Sequence, residues 1–311
     1  MASVEANGIT IEYETTGEGE PLLMVMGLGG QLTDWSDGFI DRFVAAGFQV
    51  ITFDNRDQGL STEFDWEPPT QTRAVLATLV KRPPKAGYLI TDMANDAIGL
   101  LDALGIEQAH VVGMSMGGMI AQTIAIEHPQ RVRSLTSIMS NTGDRKSGRI
   151  APSIMPKLAK MPTPNRATAA QRSVDMFALF SGSHFDPSEH LRRSQISVDR
   201  SFRPAGTGRQ TAAIMASPDR TPALRKLDLP ALVIHGLMDK LVRPSGGTAT
   251  AAAIPGSRLL MFPDMGHDVP EPRQQEIVDA IRRNADSARP AARSSSTSRS
   301  SSTSRSSSTS R

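Results

Sequence analysis

A serine set between glycines, where an apolar run gives way to a helical pattern, leaves this chain few folds to choose from. Ala109-His110-Val111-Val112 enters Gly113-Met114-Ser115-Met116-Gly117, and residues 118–127 leave it with helical spacing. A strand that turns sharply into a helix thrusts the side chain at the turn away from the sheet, and its neighbours must lack a Cβ to avoid clashes. The sequence therefore predicts a nucleophile elbow with Ser115 as the candidate nucleophile. Taken alone, Ser115 would also suit a helix N-cap in a glycine-rich turn; the flanking strand and helix favour the elbow.

The rest of the chain repeats that alternation. Short apolar runs at 21–26, 50–53, 109–112, 135–139, 231–234 and 258–262 trade places with amphipathic stretches near 36–46, 92–104, 118–127, 245–253 and 271–284. Such alternation predicts an α/β fold, a mostly parallel twisted sheet with helices on both faces. Strict alternation over Ile9-Thr10-Ile11-Glu12-Tyr13-Glu14 adds a half-exposed antiparallel strand. Residues 141–229 break the pattern: they hold no convincing strand, and segments 154–161, 174–180 and 211–215 read as short helices between prolines. We expect an inserted helical cap there, beside the strand ends where such sheets bind ligands. The chain then divides into a core (1–140 and 230–286), a cap (141–229) and a disordered tail (287–311).

That tail repeats Ser-Ser-Ser-Thr-Ser-Arg three times from Ser294 to Arg311, and nothing in it can build a core. Its arginines 289, 293, 299, 305 and 311 meet no acid, so the formal charge of +2 belongs to the tail and the rest of the chain is mildly acidic. No basic nucleic-acid-binding face is expected on the folded domain. We read the tail as a solvated appendage, with RNA binding or phosphorylation as the alternative. The chain has no cysteine, which excludes disulfide scaffolds, thiolate metal sites and a cysteine nucleophile. The opening residues carry an acid at Glu5 and no apolar stretch of signal-peptide length, and no run of 18 apolar residues occurs. The expectation is a soluble cytoplasmic protein without a membrane span.

A serine hydroxyl needs an imidazole to take its proton, and the imidazole needs an acid to fix its tautomer. Asp239 follows the apolar run 231–234, and His267 follows the run 258–262, in Pro263-Asp264-Met265-Gly266-His267. Serine, acid, histidine is one of several chain orders in which such triads occur. Asp264 and Asp144 are substitutes for the acid, but Asp239 has the better separation from His267. His110, His128, His184, His190 and His235 compete with His267, and none of them sits past the last strand. For the oxyanion, the glycine-rich turn Met26-Gly27-Leu28-Gly29-Gly30 follows a buried strand, and the backbone N–H groups of Leu28 and Met116 are the expected donors. Trp35, Met155 and Met176 are candidates for an apolar substrate pocket.

Over residues 4–284 the chain resembles the α/β-hydrolase fold family. Gly113-Met-Ser-Met-Gly-Gly118, His235-Gly-Leu-Met-Asp239 and Met265-Gly-His267 match that family's serine, acid and histidine segments. The wording of residues 26–35 and 53–62 is similar to bacterial serine carboxylesterases akin to aclacinomycin methylesterase. The resemblance implies hydrolysis of a small-molecule carboxylic ester through an acyl-enzyme, with no cofactor and no metal. Two departures stand out. Met26 occupies the place where many relatives carry a histidine, which weakens the turn's usual hydrogen-bond support, and Asp57 replaces a frequent glycine. Arg56 is expected to brace loops electrostatically. Lactone opening, carbon–carbon bond hydrolysis, cofactor-free perhydrolysis and a non-catalytic ligand receptor are the rival functions.

Overall fold

Leu22 to Val25 alternate between two apolar layers, and this double burial fixes the centre of the molecule. The computed structural model describes residues 1–69 and 84–288. Eight strands form one sheet: β1 (Ala2–Ala6), β2 (Ile9–Thr16), β3 (Glu20–Val25), β4 (Phe48–Phe53), β5 (Ala109–Met114), β6 (Val132–Ile138), β7 (Ala231–Gly236) and β8 (Arg258–Phe262). Their spatial order is β1-β2-β4-β3-β5-β6-β7-β8. Pairing is antiparallel for β1 with β2 and β2 with β4, and parallel from β4 onward. Among the described residues, five helices flank the sheet: α1 (Asp37–Ala45), α2 (Ile90–Ala103), α3 (Met116–Glu127), α9 (Ser245–Ala253) and α10 (Glu271–Asp286).

One face of the sheet presents Leu23, Val25, Ile51, Val111 and Leu135 to a core shared with Met93, Leu100, Ile120 and Ile124 of α2 and α3. The other presents Leu22, Met24, Val50, Val112, Ile138 and Ile234 to Phe39 and Phe43 of α1 and Ile277 and Ile281 of α10. Strands buried on both faces read as continuous apolar runs, which is why β3 to β7 were visible as such. β1 escaped the sequence reading because Ala2-Ser3-Val4-Glu5-Ala6 carries little apolar signal; it is an edge strand held by its ladder to β2.

Between β6 and β7 run α4 (Met155–Lys160), α5 (Ala169–Phe177), α6 (Pro187–Arg200), α7 (Pro204–Ala216) and α8 (Thr221–Leu224). The expected segments 154–161 and 211–215 fall on α4 and α7, and 174–180 overlaps the end of α5. α6 was not expected. It is a polar helix capped by Asp186, whose Oδ1 accepts the N–H groups of Ser188 and Glu189, with Pro187 in its first turn. The repeats of the Ser/Arg-rich tail lie outside the described residues. No described helix is long and apolar enough to cross a membrane.

Sheet order decides where chemistry can sit. The chain leaves β3 toward β4 on one side, and β5 lies on the other, so the carboxyl ends of β3 and β5 adjoin at a topological switch, the place where such sheets bind ligands. The turn after β3 and the serine after β5 meet there.

His110, buried in β5, pairs through Nδ1 with Ser134 Oγ at 2.8 Å. Burial, aided by the Arg133 charge, lowers its pKa to about 4. An unfolded chain protonates this imidazole near pH 6.5, so the stability it contributes is present above that pH and is lost as pH falls toward 4. Urea unfolding at pH 7.5 and 5 should show an acid loss on the order of 1 to 3 kcal/mol that shrinks in His110→Gln. An equal loss in both proteins would contradict this assignment.

Candidate active site

The turn at Ser115 is built from backbone crowding. Ser115 has φ 56° and ψ −119°, a conformation that L-residues rarely hold. A Cβ on Gly113 would lie 2.0 Å from the Gly117 carbonyl oxygen, and one on Gly117 would lie 2.0 Å from that of Val25. Both glycines are thus required by close approach of main chain to main chain. Ser115 N–H donates to the Ile138 oxygen at 2.8 Å, which locks the elbow to the neighbouring strand.

The structure brings together all three residues of the expected triad. Ser115 Oγ is 2.9 Å from His267 Nε2, and His267 Nδ1 is 2.7 Å from Asp239 Oδ2. A carboxylate only accepts, so Nδ1 carries the proton and Nε2 is left as the acceptor for the serine hydroxyl. Asp239 Oδ1 is used separately, accepting the N–H groups of Leu241 at 2.9 Å and Val242 at 2.8 Å. Burial works to raise the Asp239 pKa, but its interactions with His267 and His235 outweigh it and hold the carboxyl below its usual range. His235, which the sequence offered only as a competitor, stands behind this acid. Its Nε2 donates to the Val242 carbonyl at 2.7 Å and lies 3.4 Å from Asp239 Oδ2.

The substitute acids are engaged elsewhere. Asp264 pairs with Arg273 and His184, which bring its pKa down to about 2. Asp144 accepts the Lys146 and Ser147 N–H groups of its own loop. The other histidines also have other partners: His128 meets Asn95, and His190 meets Ser173.

Leu28 lies in the turn after β3, next to Gly27. Met116 opens α3, where a first-turn N–H has no intrahelical acceptor. Gly27, beside Leu28, approaches Ser115 so closely that a Cβ on it would lie 3.3 Å from the serine Cβ. The pocket candidates fare differently. Trp35 is buried in the apolar layer that also holds Met26, Phe39 and Met265, with its ring 6.1 Å from Phe39. Met176 is half-buried in α5. Met155 is 55% exposed at the start of α4.

Residues of the helical segment that sequence did not single out approach the site instead. Phe180 sits edge-on to the His267 ring at 5.7 Å, and its carbonyl accepts the His267 N–H at 2.8 Å. Asp268 Oδ1 accepts the N–H groups of both Gly182 and Gly266 at 2.9 Å, tying that segment to the histidine loop. No periodicity marks such long-range partners.

A family model described as the alpha/beta hydrolase fold matches residues 20–273. The chain belongs to the α/β-hydrolase fold family. Among its relatives is rhodomycin D methylesterase of Streptomyces sp. (strain C5), 28% identical over 286 residues, with 84% of this chain and 89% of the relative covered. A 2-hydroxymuconate semialdehyde hydrolase of Pseudomonas sp. (strain CF600) is 30% identical over 273 residues, covering 84% of this chain and 85% of the relative. Of solved structures, a thermophilic esterase from Thermogutta terrifontis superposes with a TM-score of 0.66 at 23% identity, covering 91% of this chain and 97% of that one.

Gly117→Ala should cost at least about 3 kcal/mol or abolish folding, because the obstacle is backbone that cannot move aside. Gly38→Ala, which meets nothing within 4 Å in α1, should change stability by less than about 1 kcal/mol. Thermal unfolding of the two variants checks the contrast.

Proposed function

We propose that this chain is a serine hydrolase that cleaves a carboxylic ester of a small molecule through an acyl-enzyme intermediate. The single observation that carries the reading is the unbroken relay Ser115 Oγ to His267 Nε2, and His267 Nδ1 to Asp239 Oδ2, at 2.9 and 2.7 Å. Kinship to a rhodomycin D methylesterase supports an ester as the bond cleaved.

His267 Nε2 takes the Ser115 proton as Oγ attacks the ester carbonyl, and Asp239 stabilises the imidazolium that forms. The N–H groups of Leu28 and Met116 receive the oxyanion of the tetrahedral intermediate. His267 then protonates the departing alkoxide, the alcohol leaves, and Ser115 holds the acyl group as an ester. Water enters, gives a proton to His267 and attacks the acyl carbonyl; collapse of the second intermediate returns that proton to Ser115 and frees the acid. Residues 141–229 serve as a cap whose underside selects the substrate, with Phe180 beside the imidazole. The substrate and water are the partners this reading calls for.

The test is hydrolysis by the purified full chain across short and long acyl esters, bulky methyl esters, lactones and a vinylogous diketone. Turnover should be greatest on an ester. Ser115→Ala and His267→Gln should each lose roughly 10⁴-fold or more in kcat, and Asp239→Asn on the order of 10⁴-fold, since the wrong tautomer is then presented to the serine. A fluorophosphonate should label wild type once, at Ser115. Cleavage of the diketone in preference to every ester would move the reading to carbon–carbon hydrolysis, and ligand binding without turnover or labelling would replace catalysis by a receptor role.

A further inference from the structure

The turn that would hold the oxyanion has an unusual source of support. Met26, at its head, brings a thioether, a poor hydrogen-bonding group. On the core side, Asn55 Nδ2 donates to the Met26 oxygen at 3.1 Å. Further support comes from across the site. Gly29 N–H donates to Gln210 Oε1 at 2.9 Å, and Gln210 Nε2 donates to the Arg56 oxygen at 2.8 Å. Gln210 lies on α7, is wholly buried, and so spends its amide on the turn after β3 and the loop after β4.

Peptide geometry makes this contact bear on the donor. The Gly30 N–H bonds the Gly27 oxygen at 3.2 Å, closing a four-residue turn. That oxygen shares a planar unit with the Leu28 N–H, so the bond sets the direction in which the Leu28 N–H points. The next unit, between Leu28 and Gly29, is the one Gln210 grips. Gly29 has φ 74°, and a Cβ built on it would lie 3.1 Å from Thr207 Oγ1, one turn before Gln210 on α7. Glycine here lets the turn lie against the helix, and the helix in turn fixes how the turn is oriented.

We infer that Gln210 is a positioning residue for the oxyanion donor, so that docking of the helical segment between β6 and β7 completes the site's electrostatics as well as covering it. This rests on the hydrolase reading with Leu28 N–H as donor. Misplacing a preorganised donor by about 1 Å costs about 10²-fold, and losing one outright costs about 10²- to 10³-fold.

The experiment compares wild type with Gln210→Met, similar in shape but without the bonds, and Gln210→Glu, which keeps an acceptor for Gly29 while losing the donor to Arg56. On an ester cleaved by wild type, Gln210→Met should lower kcat by about 10- to 100-fold with KM changed by less than about 3-fold. The affinity of a trifluoromethyl ketone, whose serine adduct carries the oxyanion, should fall in proportion to kcat, while the pH profile keeps its midpoint. Gln210→Glu should retain more kcat than Gln210→Met. If Gln210→Met does not fold, Gln210→Asn, too short to bridge Gly29 and Arg56, carries the same expectation. Unchanged kcat per folded molecule, or a fall in kcat without weaker ketone binding, overturns the positioning role alone. A wild type silent on every ester, with Ser115 unlabelled by fluorophosphonate, overturns the hydrolase reading and this inference with it.

Discussion

Ser115 sits in a backbone conformation that costs on the order of 1 to 3 kcal/mol for an L-residue, and it persists only because its surroundings leave no alternative. The Ile138 carbonyl holds its N–H, Gly113 and Gly117 permit main chains to touch, and α3 begins at the next residue. Everything chemical in the molecule is arranged around the point to which this strain directs one hydroxyl. β3 supplies the neighbouring turn, β7 the acid and β8 the imidazole, each from the carboxyl end of a strand.

The same principle explains how much could be seen in advance. The triad was legible because each member follows an apolar run by a few residues, and parallel pairing places the ends of such runs on one side of a sheet. Asp239 could be preferred over Asp264 from spacing alone, and the structure gives the reason: Asp264 is tied to Arg273 and His184. Arg56, expected to brace loops, ties the loop after β4 to helix α2 through a two-point pair with Asp96 at 2.5 and 2.7 Å. Gln210, Phe180 and Asp268 were not legible. Their partners lie 181 residues away for Gln210 and 86 for Asp268, and no pattern of local hydrophobicity encodes a glutamine's reach. α6 was missed for a related reason, since its packing is polar and leaves little apolar stripe to read.

That polar packing is a contrast within the molecule. The sheet and its flanking helices cohere through aliphatic and aromatic layers, whereas α6 and α7 meet the loops after β3 and β4 largely through hydrogen-bonded charge. Arg200 pairs with Asp54 at 2.7 Å and Gln31 at 2.8 Å, and Arg209 with Asp57 at 2.9 Å. Asp57 also accepts the Tyr88 hydroxyl at 2.6 Å, and at φ 71° it anchors this seam. Buried charge of this kind specifies one docking geometry more than it adds net stability, because desolvation offsets much of the attraction.

Along that seam the signs are segregated. Asp54, Asp57 and Glu63 lie in the first quarter of the chain, and Arg200, Arg203 and Arg209 in the third. During synthesis the carboxylates emerge from the ribosome well over a hundred residues before the guanidinium groups that neutralise them. Closing so long a loop belongs to the late part of folding. A nascent chain halted before residue 200 would therefore carry a nearly finished edge of the sheet crowned by unpaired acids.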